Sequence, residues 1–166
     1  RKRSPVPVAY ADVWEFWLRH ASALRQHVDV VAVHVLPYWE DDPVAVQGAV
    51  AHVRGTMARA QQAFPDKRAW LGETGWPAAG RQRGPAVPGR WQQASFVRAW
   101  IDAAGPEAAT VGSMNFIEGF DQPWKRALEG TVGAHWGLFD AAGRQRVAWQ
   151  GQEPMHPIQT FTWALR

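Results

Sequence analysis

The stretch RAWLGETGWPAAG, residues 68–80, sets a short apolar run against a single carboxylate, Glu73, and follows it at once with Gly-Trp-Pro. A run of this length with no polar alternation reads as a strand covered on both faces, the form taken in parallel sheets. Three other runs share its character: VPVAY at 6–10, VDVVAVHVL at 28–36 and TVGSMNFI at 110–117. Between them lie helical patterns. Asp12 stands three residues before Glu15, a capping-box spacing, ahead of an apolar stripe of Val13, Trp14, Trp17, Leu18, Ala21 and Leu24. Asp42-Pro43 supplies an N-cap and first-turn proline ahead of Val46, Val50, Val53, Met57, Ala60 and Phe64. A loop over 79–90 precedes a stripe of Trp91, Ala94, Val97, Ile101 and Ala104, and HPIQTFTWALR at 156–166 closes the chain as a last helix. Strand and helix in alternation predict an α/β protein with a parallel sheet.

Each apolar run ends in polar and aromatic residues: Tyr10 and Asp12 after the first, His34, Tyr38, Trp39 and Glu40 after the second. Glu73 and Trp76 follow the third, and Glu118, Asp121, Gln122, Trp124 and Lys125 the fourth. Both (β/α)8 barrels and doubly wound sheets collect their functional groups at the carboxyl ends of strands. No glycine-rich phosphate loop follows any of the runs, which removes the main support for a nucleotide-binding sheet.

Composition narrows the function. The 166 residues suffice for one domain, the charged and hydrophobic fractions of 20% and 46% are those of a folded soluble protein, and no run is long and apolar enough to span a bilayer. Eleven tryptophans are an unusual load, suited to packing or to stacking on flat ligands. The absence of cysteine excludes disulfide and thiolate chemistry. The net charge of +3 comes from scattered arginines, with one short cluster at Arg1-Lys2-Arg3. This pattern argues against nucleic acid as a partner, since carboxylates at the strand ends would repel phosphates.

Several residues admit two readings. Glu73 is either a surface acid in a tight turn or a carboxylate placed at a sheet mouth beside the indole of Trp76 for acid, base or nucleophilic work on a glycosidic bond. His34 is either a hydrogen-bonded core histidine or a ligand contact. Asp12 is a helix cap or a ligand contact, and Asp42 a cap. Glu40, Asp41 and Asp42 match no metal-loop spacing and read as a solvated acidic turn, so no metal is expected. Lys125 pairs with Asp121 at the surface or keeps a nearby carboxylate ionised.

These motifs together resemble glycoside hydrolase family 17, the (β/α)8 enzymes acting on β-1,3-glucans. LGETGWPAAG is similar to the family's nucleophile signature after the seventh strand, VHVLPYWE to the sixth-strand segment, and FIEGFDQPWK to the eighth. EGTVGAHWGLFDAAGRQR is similar to the segment downstream, and VPVAYADVWEFW falls where the fifth strand should be. The likeness is to the bacterial branch of the family. Ala78 and Gln122 depart from the usual pattern, the latter replacing the glutamate of plant members.

The resemblance implies a half-barrel over residues 1–166, covering about strands 5 to 8 of a TIM barrel, with Glu73 as nucleophile of a retaining hydrolase or transglycosylase. Lys125 and Asp121 would tune Glu73 or position the acid, and Tyr38, Trp39, Trp76 and Phe120 would hold sugar rings. Tyr10, His34, Glu118 and Gln122 would meet sugar hydroxyls. No cofactor is implied. The partner is a β-glucan oligosaccharide or polysaccharide, and the general acid lies upstream of the chain. The open sheet edges call for the N-terminal half of the barrel or a second copy, and the expected location of the intact protein is the cell envelope, periplasmic or extracellular side. A truncated domain that binds glucan without turnover is the alternative.

Overall fold

The computed structural model describes residues 5–104 and 114–146. Within them the chain forms one four-stranded parallel sheet in the order β1-β2-β3-β4, from β1 (Ala9–Val13), β2 (Val30–His34), β3 (Arg68–Thr74) and β4 (Met114–Phe116). Helices α1 (Trp14–Arg19) and α2 (Ala21–Leu24) follow β1, α3 (Val46–Ala63) follows β2 and α4 (Arg90–Ala104) follows β3. After β4 come a 3₁₀ turn (Pro123–Lys125), the single-turn α5 (Arg126–Glu129) and a second 3₁₀ turn (Gly130–Val132). The expected helix over 156–166, residues 110–113 of the fourth run and the Arg1-Lys2-Arg3 cluster lie outside the described residues.

The sheet has two unlike faces. Val31 and Val33 on β2, with Val35 just beyond it, are fully buried against Trp17, Ala49, Val53, Ala60 and Phe64. Each such valine stabilises the fold by about 2 kcal/mol through the apolar area it takes from water. The alternate residues Val30, Ala32 and His34 are only half-buried, and their register partners Ala9, Ala11 and Val13 on β1 are exposed. One face is therefore packed by helices and the other lies open. Among the described residues no helix is long and apolar enough to cross a membrane.

Strand and helix starts depart from expectation for identifiable reasons. The first strand runs from Ala9 to Val13 rather than over 6–10: Pro7 has no N–H to donate, and the amide of Val8 is taken by Asp29 Oδ2 at 3.0 Å. Asp12 consequently sits within the strand and caps nothing. Its Oδ1 accepts from the amide of Val13, and the N-cap position of α1 is Val13 itself. Asp42-Pro43 likewise does not open α3, which starts at Val46 with Ala45 as N-cap; the amide of Val44 is spent on the carbonyl of Pro37 at 2.9 Å and holds this segment as a loop. The buried side of α4 carries Gln93, Ala94, Phe96 and Val97, whereas Ile101 of the expected stripe is exposed.

Candidate active site

A β-bulge sets the position of Glu73. Along β2 and β3, Val33 pairs with Leu71 but His34 pairs with Glu73, so Gly72 is an extra residue and the ladder shifts by one. Bulges bend a strand and re-aim the side chain beyond them. Here the shift puts Glu73 on the open face beside His34, with Nδ1 of the histidine 3.4 Å from Oε2 of the glutamate. Both side chains keep contact with solvent, at 22% and 38% exposure, so a ligand can reach the pair.

Gly72 makes this approach possible. A Cβ there would lie 2.8 Å from Cδ2 of His34, closer than real carbon contacts allow. Gly72→Ala is therefore expected to push the imidazole away from Glu73 and to lower kcat/KM by on the order of a hundredfold, with a smaller effect on stability, as steady-state kinetics and thermal unfolding would show.

The adjoining strand supplies a second charged group. Glu118, two residues past β4, accepts from Lys125 Nζ at 2.5 Å, and both side chains are largely buried. Its other oxygen, Oε1, is buried with no hydrogen-bond partner among the described residues. Glu129, at the end of α5, completes the cluster. Burial pushes its carboxyl above the usual range, the ammonium of Lys125 pulls it back, and the charges of Glu118 and Glu73 raise it further. Glu129 thus feels one lysine and two further carboxylates, and the like charges oppose its ionisation.

A raised folded-state pKa means stability that is present at acid pH and lost as pH rises through that folded value. Glu129→Gln, which cannot charge, should therefore melt higher than the wild type at neutral pH. The two should converge below about pH 4, where the glutamate is neutral in both states.

On the other side of Glu73, the ends of β1 and β2 border a cleft of about 400 Å³ whose lining includes Trp14, Glu15, His34, Trp39 and Glu40. Glu40 does not belong to a solvated turn: it is buried, accepts from Trp14 Nε1 at 2.9 Å, and lies 3.0 Å from His52 Nε2. Asp41 and Asp42 are exposed, as expected. Trp39 is 37% exposed and stacks at 24° on Trp136, which holds its ring in place. Among the described residues no group of three or more His, Cys, Asp or Glu is placed to hold a metal ion.

Four expected site residues are placed elsewhere. Tyr10 pairs in register with Val31, on the helix-covered side; its ring meets Phe16 and Trp17 and its hydroxyl donates to Asp12 Oδ2 at 2.7 Å, away from the open face. Tyr38 is buried, with its hydroxyl donating to the carbonyl of Arg81, and presents no ring to a sugar. Trp76 is buried against Tyr38 and Phe96 with Nε1 donating to the carbonyl of Val87 at 3.0 Å, so it belongs to the core and is no stacking platform. Asp121 is buried too and does not pair with Lys125. It accepts from the amide of Gly137 and from Arg146, and His135 lies near it. Its charge holds the loop over 137–146 in place.

Phe120 is 56% exposed and packs on Phe139, while Oε1 of Gln122 accepts from Trp124 Nε1 at 2.9 Å. The open face thus brings together His34, Glu73, Glu118 and Lys125, and Glu129 joins them. The only sequence signal for Glu129 is its place at the head of the EGTVGAHWGLFDAAGRQR segment.

Comparison with known proteins identifies the family. Residues 1–137 match the BtgE/BtgC glycoside hydrolase domain. A protein of Aspergillus fumigatus named "Probable beta-glucosidase btgE" is 32% identical over 124 residues, 75% of this chain and 21% of that protein. A "Glucan 1,3-beta-glucosidase" of Candida albicans is 31% identical over 154 residues, 83% of this chain and 46% of that one. The chain therefore spans less than half the length of these relatives.

Among solved structures, the Rhizomucor miehei β-1,3-glucanosyltransferase of glycoside hydrolase family 17 superposes with a TM-score of 0.71 at 21% identity, over 85% of this chain and 48% of that one. An endo-laminarinase from Formosa gives 0.59 at 19% identity, over 83% and 44%. The structural neighbours are TIM-barrel enzymes of which this parallel sheet matches about half. The chain belongs to the BtgE/BtgC glycoside hydrolase domain family.

Proposed function

We propose that residues 1–166 form the C-terminal half of a (β/α)8 barrel, strands 5 to 8, in a retaining β-1,3-glucan hydrolase or glucanosyltransferase whose nucleophile is Glu73. The observation that carries this reading is the bulge-directed carboxylate at the end of β3, reachable by ligand and 3.4 Å from His34. A Glu73 oxygen bonds to the anomeric carbon as the glycosidic C–O bond breaks, and the leaving oxygen takes a proton from the acid. Water or a glucan hydroxyl then displaces Glu73, with the same acid acting as base.

The acid in this reading is a glutamate of the N-terminal half, about 5 Å from Glu73, the separation retaining enzymes use. Lys125, paired with Glu118 at the neighbouring strand end, brings a positive charge to the carboxylate cluster. His34, with Nδ1 3.4 Å from Oε2, limits the positions open to the Glu73 carboxylate. Trp39 and Phe120 offer exposed rings to sugar and Gln122 its amide N–H groups to the hydroxyls, whereas Glu118, with Oε2 on Lys125 and Oε1 buried, is not open to them. The free edges of β1 and β4 are covered by the other half-barrel, or by a second copy, since unpaired strands left open invite aggregation. The cell envelope, on its periplasmic or extracellular side, is the location that fits a glucan substrate.

The relatives' names support glucan as substrate: one is a glucan 1,3-beta-glucosidase, and the Rhizomucor miehei transferase was solved with laminaritriose. Incubating the full-length protein with laminari-oligosaccharides and following the anomeric protons by NMR tests the reaction class. Products released in the β-configuration are expected; initial release of the α-anomer would overturn the mechanism, and binding without turnover would favour the inactive glucan-binding domain.

A further inference from the structure

Trp124 is 60% exposed, and its ring meets its own neighbours in the chain, Gln122 and Lys125. Such a placement keeps a large apolar area in water, and the local structure holds it there. Pro123 opens the 3₁₀ turn that carries it, and Nε1–H donates to Gln122 Oε1 at 2.9 Å. That bond uses the only donor the ring possesses, so what Trp124 offers a ligand is its π surface. Lys125 Nζ lies 5.9 Å from the ring centroid, and with Gln122 it forms a polar rim around an aromatic face. Pyranose rings match this surface: an apolar C–H side rests on the indole while the hydroxyls reach the rim.

Topology relates this platform to the candidate nucleophile. β3 lies between β2 and β4, with adjacent strands about 4.8 Å apart. Glu73 is the penultimate residue of β3, Trp39 lies in the connection after β2 and Trp124 in the one after β4, so the two exposed indoles belong to the strand-end segments that flank the strand of the carboxylate. Lys125 links the second platform to the cluster directly, being next to Trp124 in the chain and bonded to Glu118.

We propose that Trp124 is a second pyranose platform, on the far side of Glu73 from Trp39, so that a glucan chain lies across the strand ends with rings held on both sides of the reacting bond. This rests on the glycosidase reading above and specifies where its substrate lies. The test uses the full-length enzyme, laminari-oligosaccharides of increasing length, and the variants Trp124→Ala, Trp124→Phe and Glu73→Gln. For Trp124→Ala, kcat/KM should fall about tenfold on the longest oligosaccharides and distinctly less on the shortest one cleaved. Trp124→Phe should recover much of the loss, and the melting temperature should stay at the wild-type value. An equal fall at every length with a lowered melting temperature would overturn the proposal and assign the indole to a contact with the rest of the barrel. No change at any length would also overturn it. Should Glu73→Gln turn over normally, the glycosidase reading itself fails; if that variant is inactive while Trp124→Ala shows no length dependence, only the platform fails.

Discussion

Replacing Glu73 with Gln should reduce kcat on laminari-oligosaccharides by on the order of ten-thousandfold while KM changes only a few-fold. In the proposed mechanism the carboxylate forms the covalent bond, and a neutral amide of the same shape cannot take that role, so the loss falls on the transition state rather than on ground-state binding. Glu118 is held by Lys125, and Glu129 is held toward its neutral form by burial and by the charges of Glu118 and Glu73, so neither is free to replace the missing nucleophile. The Glu73→Gln side chain has the same size and shape beside His34, so the sheet should fold unchanged. Steady-state kinetics alongside the melting temperature separates chemistry from folding.

The second large effect concerns stability. Gln93 is buried in α4, and its Nε2 lies 3.0 Å from the carbonyl of Trp76, 3.2 Å from that of Trp136 and 3.1 Å from that of Gly137. The amide orientation is forced, since reversal would aim Oε1 at three acceptors. One side chain thus joins helix α4 to the turn after Glu73 and to the loop whose Gly137 amide binds Asp121. Gln93→Leu leaves buried carbonyls without their donor and should cost about 3 kcal/mol, a drop of roughly 10 °C in melting temperature. Gln93→Glu should be worse, because it sets a carboxylate against the same oxygens. Activity should fall in both variants, because Trp76 lies three residues beyond Glu73.

The sequence already discloses the parallel sheet and the placing of Glu73, since runs of β-branched residues between helical stripes have few other structural solutions. Its limits have physical causes. Tyr10 faces the helices because the strand begins three residues later than the apolar run, and strand register turns on which amides are free to pair, as with Pro7 and Asp29. Trp76 and Tyr38 follow strand ends just as Trp39 does and all three have aromatic neighbours, so only their burial in the fold, 1% exposure against 37%, separates core rings from the exposed one. The bulge at Gly72 depends on how two strands meet, and a single strand's sequence carries no such information. The ties of Asp121 to Arg146 and of Gln93 to Gly137 span 25 and 44 residues, distances over which local pattern is silent.

That Glu73 forms a glycosyl-enzyme is tested most directly by trapping it. The full-length protein, incubated with a 2-fluoro-laminaribiosyl inhibitor and digested, should yield one peptide heavier by the mass of the fluorinated sugar, with the label on Glu73 and absent from the Glu73→Gln variant. A label on Glu118 or Glu129, or active enzyme that turns the inhibitor over with no labelled peptide, would contradict the assignment.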